Sequence, residues 1–280
     1  MSRHNNSPRS DEHGLFPSRR CHRGITFAVA LAAIFIFIRG GEAETPQRKG
    51  WALAKRVEKA NEGFKGEVSK MEMVLLNARG DRIVRRMASN IFEVKKDGDK
   101  SKIEFLWPAD VKGTRMLTWT HKSKDDDQWL YLPAIRRVKR ISSRNKSGSF
   151  MGSEFAYEDL GSQEPEKYSH RFLEELTVKG RPMWKTERVP NDKRSGYSRQ
   201  VQWIDKGYMS VVKVEYYDRK GELLKTSTLS NFKRYGKLWR PQKITMRNHQ
   251  TKKVSILTWT QRKLFVPLDA DDFSKDELDS

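Results

Sequence analysis

Three histidines follow residue 43, at His121, His170 and His249, and they are the first side chains to weigh for chemistry. They lie far apart in the chain, and none falls at a metal-ligand spacing. The sequence contains no GxSxG elbow, HExxH helix, phosphate-cradling glycine loop or Cys–His pairing. Asp125-Asp126-Asp127 lacks the alternating ligands and closing Glu of a calcium loop and reads as a solvated hairpin turn. Glu174 with Glu175, and Asp269 with Asp271 and Asp272, offer carboxylates for acid–base work, but nothing in the sequence brings either set together. The expectation is a protein that is not an enzyme and uses neither metal nor cofactor.

Two other residue classes are unusual. Trp107, Trp119, Trp129, Trp184, Trp203, Trp239 and Trp259 all fall in strand-like segments, as do Phe92, Phe105 and Tyr131. They read either as plain core or, for some, as the lining of a hollow barrel that accepts acyl chains. Each methylene buried in such a space gains ~0.8 kcal/mol, so a covered cavity binds a chain without polar contacts. The second class is a run of cations: Arg136, Arg137, Lys139, Arg140, Arg144 and Lys146, with no acid among them. Cations on both faces of a strand fit a sheet edge or rim. The run is open to two readings, a dock for anionic headgroups or a partner, and an edge protected against aggregation.

The elements that must position these residues change period once. Glu44 to Phe64 carries Trp51, Leu53, Ala54, Val57, Ala60 and Phe64 at helical spacing, ended by Gly63 and Gly66. Beyond Gly66 the alternation is that of strands, with turn signals every 8–15 residues. Expected strands include Ile83–Val94, Lys102–Trp107, Met116–His121, Val211–Tyr217, Leu223–Tyr235, Trp239–His249 and Lys253–Arg262, while Tyr168–Val178 fits helix or strand. Between them, Lys146 to Leu160 is too apolar for an ordinary loop and too broken by Gly148 and Gly152 for a long helix. It reads as a short lid bearing Phe150, Met151, Phe155 and Tyr157. The fold class is mainly β: one strongly curved antiparallel sheet or barrel.

Residues 1–43 read as a targeting segment. Arg19, Arg20 and Arg23 precede an apolar run of 14 residues, Ile25–Ile38, and Gly41-Glu42-Ala43 is a small-x-small cleavage site. The expected mature chain, 44–280, is then one domain of 237 residues without cysteine, because Cys21 lies ahead of the apolar run. Export without disulfides points to a bacterial periplasm. The first 43 residues hold six Lys/Arg and three Asp/Glu, so the formal charge of +20 becomes about +17 after cleavage. So basic a surface is drawn to anionic headgroups or acidic partners, and outside the cytosol nucleic acid is not among them.

The string Phe105-Leu106-Trp107-Pro108-Ala109-Asp110-Val111-Lys112-Gly113-Thr114, followed by Asp125-Asp126-Asp127-Gln128-Trp129-Leu130-Tyr131-Leu132-Pro133-Ala134, Arg136–Ile141, Ser149–Gly152 and Phe155–Leu160, resembles the outer-membrane lipoprotein-sorting proteins of the LolA-like group. The resemblance spans roughly Val68 to Phe273 and implies an unclosed β-barrel whose helices form a lid over an apolar cavity. It implies a periplasmic carrier of lipid or lipoprotein acyl chains, served by an inner-membrane transporter and an outer-membrane acceptor. The lid arginine of the classical carriers has no matched position here, and this chain is longer and more basic. On this reading Phe105, Trp107, Trp119, Trp129, Tyr131, Phe150, Met151 and Phe155 line the cavity and lid, Arg136, Arg137, Lys139 and Arg140 meet anionic headgroups or a partner, and the protein is a monomer. The alternative reading is a regulatory or accessory module with a filled core, docking through its basic rim.

Overall fold

The computed structural model describes residues 44–279, so the expected signal peptide, residues 1–43, lies outside the described residues. The predicted helix is α1, Pro46–Asn61. It starts where Thr45 accepts a hydrogen bond from the Arg48 amide and Pro46 supplies a preset first turn. It stops before Gly63, which takes a positive φ of 88° and turns Phe64 into the core.

Strands follow in order: β1 (Gly66–Leu76), β2 (Arg82–Phe92), β3 (Lys100–Trp107), β4 (Arg115–Trp119), β5 (Asp127–Leu132), β6 (Arg137–Ile141), β7 (Tyr168–Val178), β8 (Arg181–Pro190), β9 (Arg199–Asp205), β10 (Ser210–Tyr217), β11 (Leu223–Ser230), β12 (Lys233–Tyr235), β13 (Leu238–Arg240), β14 (Lys243–Asn248) and β15 (Val254–Leu264). Thirteen of them form one antiparallel sheet in the order β6-β5-β4-β3-β2-β1-β15-β14-β11-β10-β9-β8-β7, and β12 and β13 pair as a separate hairpin. The sheet curves strongly without closing. Tyr168–Val178, open to either reading in the sequence, is a strand.

Two expected strands are each divided. Leu223–Tyr235 breaks at Asn231, whose φ of 56° is incompatible with a ladder, and Trp239–His249 breaks at Pro241, which has no N–H to give. The sheet's two edges, β6 and β7, are consecutive strands in the chain, so the segment 142–167 runs across the gap between them. That segment is a series of single 3-10 turns, at Ser143–Asn145, Phe150–Gly152, Tyr157–Asp159 and Pro165–Lys167. Gly148 and Gly152 are too disruptive to permit more.

The concave face is packed with Met71, Met73, Met87, Met116 and Met246 around Phe105, Leu130, Phe150 and Phe155. Unbranched methionines fill irregular space and reshape at low cost. The opposite face of β4 and β5 holds a second core in which Leu117 and Trp129 are sealed by Phe273 and Leu278 from the C-terminal turns. Helix α1 lies across β7. A Cβ added at Gly50 would stand 2.7 Å from backbone atoms of Arg171 and Phe172, so only glycine permits the approach. The far end of α1 is tied by Asn61, whose side chain donates to the Met209 carbonyl at 2.8 Å and accepts from Arg240 at 2.6 Å.

Candidate functional site

Between α1 and the concave face lies a cavity of about 870 Å³. Its apolar wall is built from strand positions that point inward every second residue: Val211 and Val214 of β10 on either side of a register shift, and Ile244 and Met246 of β14. Val57 closes it from the helix and Phe155 from the lid. A polar band crosses this wall, made by Arg188 of β8, Gln202 of β9, Tyr216 of β10 and Ser227 of β11. Near the turn between β2 and β3 the lining becomes charged, with Glu58, Glu93, Asp99, Lys122, Glu164 and Arg240.

The lid is held by buried polar contacts. Lys225 and Asp159, with side chains 5% and 7% exposed, form an ion pair at 2.7 Å. The Lys225 ammonium also donates to the Glu154 carbonyl at 2.8 Å, and the Tyr197 hydroxyl donates to Asp159 at 2.9 Å. Burial and the facing carboxylate push the Tyr197 phenol well above its usual range, so it stays a donor. Asn248 donates to Glu154 at 2.7 Å, and Arg85 donates to the Met151 carbonyl. Phe150 then packs on Phe105, with ring centroids 5.7 Å apart.

The charged end of the cavity is tuned by burial. Desolvation, with Glu164 and Glu93 close by, pushes the Asp99 carboxyl up to about 7. Burial also raises the Glu164 carboxyl. Glu58, Glu164 and Glu166 approach one another closely enough to share a cation. The ammonium groups of Lys122, 2.8 Å from Glu58, and Lys55, 2.8 Å from Glu166, already stand among them.

The structure distributes the sequence-predicted residues over three places. Phe105, Phe150 and Met151 pack together in the concave core, and Phe155 joins them while lining the cavity. Trp119, Trp129 and Tyr131 lie on the opposite face of the sheet. The two indoles meet edge to face at 5.0 Å, and Trp119 Nε1 donates to the Phe273 carbonyl at 2.7 Å. Trp107 ends β3 and is 47% exposed, with the Arg86 guanidinium over its ring. Arg136, Arg137, Lys139 and Arg140 are all exposed at the β6 edge, where Arg140 pairs with Asp127 at 2.5 Å. Sequence reasoning passed over Val57, Val211, Val214, Ile244 and Arg188. The signal for Arg188 was there: Trp184, Thr186 and Arg188 occupy alternate positions of β8, and all three are buried.

A family model described only as that of an uncharacterized protein matches residues 97–280. A crystal structure of a domain from Vibrio parahaemolyticus, named as an outer membrane lipoprotein-sorting protein, is 46% identical, with a TM-score of 0.82 over 84% of this chain and 100% of that one. A DUF1329 family protein from Desulfovibrio piger is 29% identical, with a TM-score of 0.80 over 84% of this chain and 99% of its own. A LolA superfamily protein from Nitrosomonas europaea shares the fold, at 20% identity and a TM-score of 0.65 over 84% of this chain and 100% of that one. No curated protein matches the sequence.

Proposed function

The chain belongs to the family of outer membrane lipoprotein-sorting proteins and shares the LolA-like fold, and on that premise we propose that it is a periplasmic carrier that shields lipid or lipoprotein acyl chains between envelope membranes. One observation carries the reading: about 870 Å³ of space between the helix and the sheet, walled by Val57, Val211, Val214, Ile244, Met246 and Phe155. A volume of this size is that of a ligand site and far exceeds a packing defect. Transfer of an acyl chain from water into such a wall gains ~0.8 kcal/mol per methylene. The cargo is taken up and released unchanged, and residues 1–43 serve as the export signal. An inner-membrane donor and an outer-membrane acceptor bracket the transfer.

The test uses delipidated protein and a fluorescent acyl probe. Uptake is expected at near one probe per chain, and Val214→Asp, which puts a charge into the apolar wall, is expected to lower affinity at least about tenfold. Trp107→Asp, at an exposed position outside the cavity, serves as the control. Undiminished uptake by a folded Val214→Asp variant would remove the cavity from the function.

A further inference from the structure

The cavity wall contains a cation with no carboxylate partner among the described residues. Arg188 lies there and is 5% exposed. Its Nε donates to Gln200 at 2.8 Å and one terminal nitrogen, Nη2, donates to Gln163 at 2.8 Å. Both acceptors are neutral amides. Among the described residues Nη1 has no hydrogen-bond partner and no carboxylate stands within ion-pair distance of the group. The three carboxylates of the lid are already engaged, Glu154 by the Asn248 amide. Asp159 is held by Lys225 and Tyr197, and Glu158 by the Ser195 hydroxyl and the Gly196 amide.

Arg188 carries a positive charge into the wall. The Tyr168 ring lies 4.1 Å away and shields one face of the group, leaving the fork edge for a partner. The amides fix its orientation through two of its five N–H donors. A cation oriented by neutral amides, with a donor facing the cavity, is set to meet a planar or tetrahedral oxyanion there. Val214 and Met246 line the same space, so an anion here can sit at the head of an apolar chain.

Resting on the carrier reading, we propose that Arg188 binds the acidic headgroup of the cargo. The ligand class is then an acyl chain that ends in a carboxylate or a phosphate, with the chain lying along β10 and β14. Neutral acylglycerols and alkyl esters still fill the apolar wall but bind less tightly, because they leave Arg188 unpaired.

The experiment is displacement of the fluorescent acyl probe from delipidated full-length protein by palmitate, methyl palmitate, hexadecyl phosphate or inorganic phosphate. Palmitate or hexadecyl phosphate is expected to bind at least about tenfold tighter than methyl palmitate, the scale of a charge-assisted hydrogen bond. The tighter of the two acids identifies the headgroup as carboxylate or phosphate. Arg188→Gln is expected to bring the acid-to-ester ratio down to about one, with Arg188→Lys intermediate. The acid-to-ester ratio of the unmutated protein needs no variant to fold. Equal binding of acid and ester there overturns the assignment of Arg188 and leaves the carrier reading standing. Binding of neither overturns both. Displacement by inorganic phosphate alone overturns the headgroup assignment, because it marks a site for free anions.

Discussion

Lys225 and Asp159 form an ion pair that is nearly out of water, and its two members are not equally replaceable. Lys225→Met leaves a buried carboxylate with a phenol and the Ala156 amide but no cation, and a cost of about 3–5 kcal/mol is expected in urea unfolding. Lys225→Met with Asp159→Asn removes both charges and is expected to recover most of that loss; a double variant as unstable as the single one refutes the pairing as the cause. Asp99 makes a prediction in pH. Its carboxyl, raised to about 7 by burial beside Glu93 and Glu164, holds a proton that the unfolded chain gives up near pH ~4. The stability it contributes is therefore full below pH ~4, falls as pH rises towards 7, and is lost above. Asp99→Asn, which still accepts from the Val94 amide, is expected to flatten this fall, read as urea midpoints from pH 4 to 8. Parallel midpoint curves for the two proteins would exclude Asp99 as the source. Residue identity was partly legible. Phe155 stood out as an aromatic in a glycine-broken segment, and the structure brings it to the cavity. Trp119 and Trp129 looked equivalent to it because alternation reports that a face is covered, not what covers it. Here the cover is Phe273 and Leu278, which the sequence shows only as an acidic tail.

At the scale of elements, α1 and the lid cover the cavity, and each is tied down by its own contacts. The lid is held by ions and amides, while the helix is held at its start by the close approach at Gly50 and at its end by the Asn61 hydrogen bonds. Gly50→Ala puts a methyl 2.7 Å from the β7 backbone and is expected to lift the first half of α1, at a cost of about 1–3 kcal/mol. Faster exchange of a bound acyl probe should accompany it, and stopped-flow dissociation measures that rate. A rate matching the unmutated protein would mean that the helix does not gate the cavity. The helix and most strands were readable because their periods differ sharply. The boundaries failed at Asn231 and Pro241, where one backbone torsion and one missing N–H divide apolar runs that alternate without a break.

For the whole molecule, alternation predicts strands but not partners, so the sequence implied a curved sheet without its order. The decisive pairing, β1 with β15, joins strands at opposite ends of the domain and has no local signal. Charge acts at this scale as well. With a formal +20 on the chain and four exposed cations at the β6 edge, binding to anionic phospholipid vesicles is expected. It should weaken steeply between 0.1 and 1 M salt, as the Debye length falls from ~10 to ~3 Å. Co-sedimentation measures it, and reversing Arg136, Arg137 and Lys139 to Glu is expected to reduce it several-fold. Binding indifferent to salt would assign the attraction to apolar contact instead.

The gap between β6 and β7 has a mechanical consequence. Across it Lys167 meets Asp126, Lys146 meets Asp192, and Arg194 meets Asp125, while among the described residues no ladder hydrogen bonds join the two strands. Parting the sheet along this seam, as a clasp does, would cost paired charges and the bridging segment's own hydrogen bonds and leave every ladder of the sheet whole. Because its two lips are one continuous stretch of chain, it has a built-in stop, and it can spread only as far as residues 142–167 pay out.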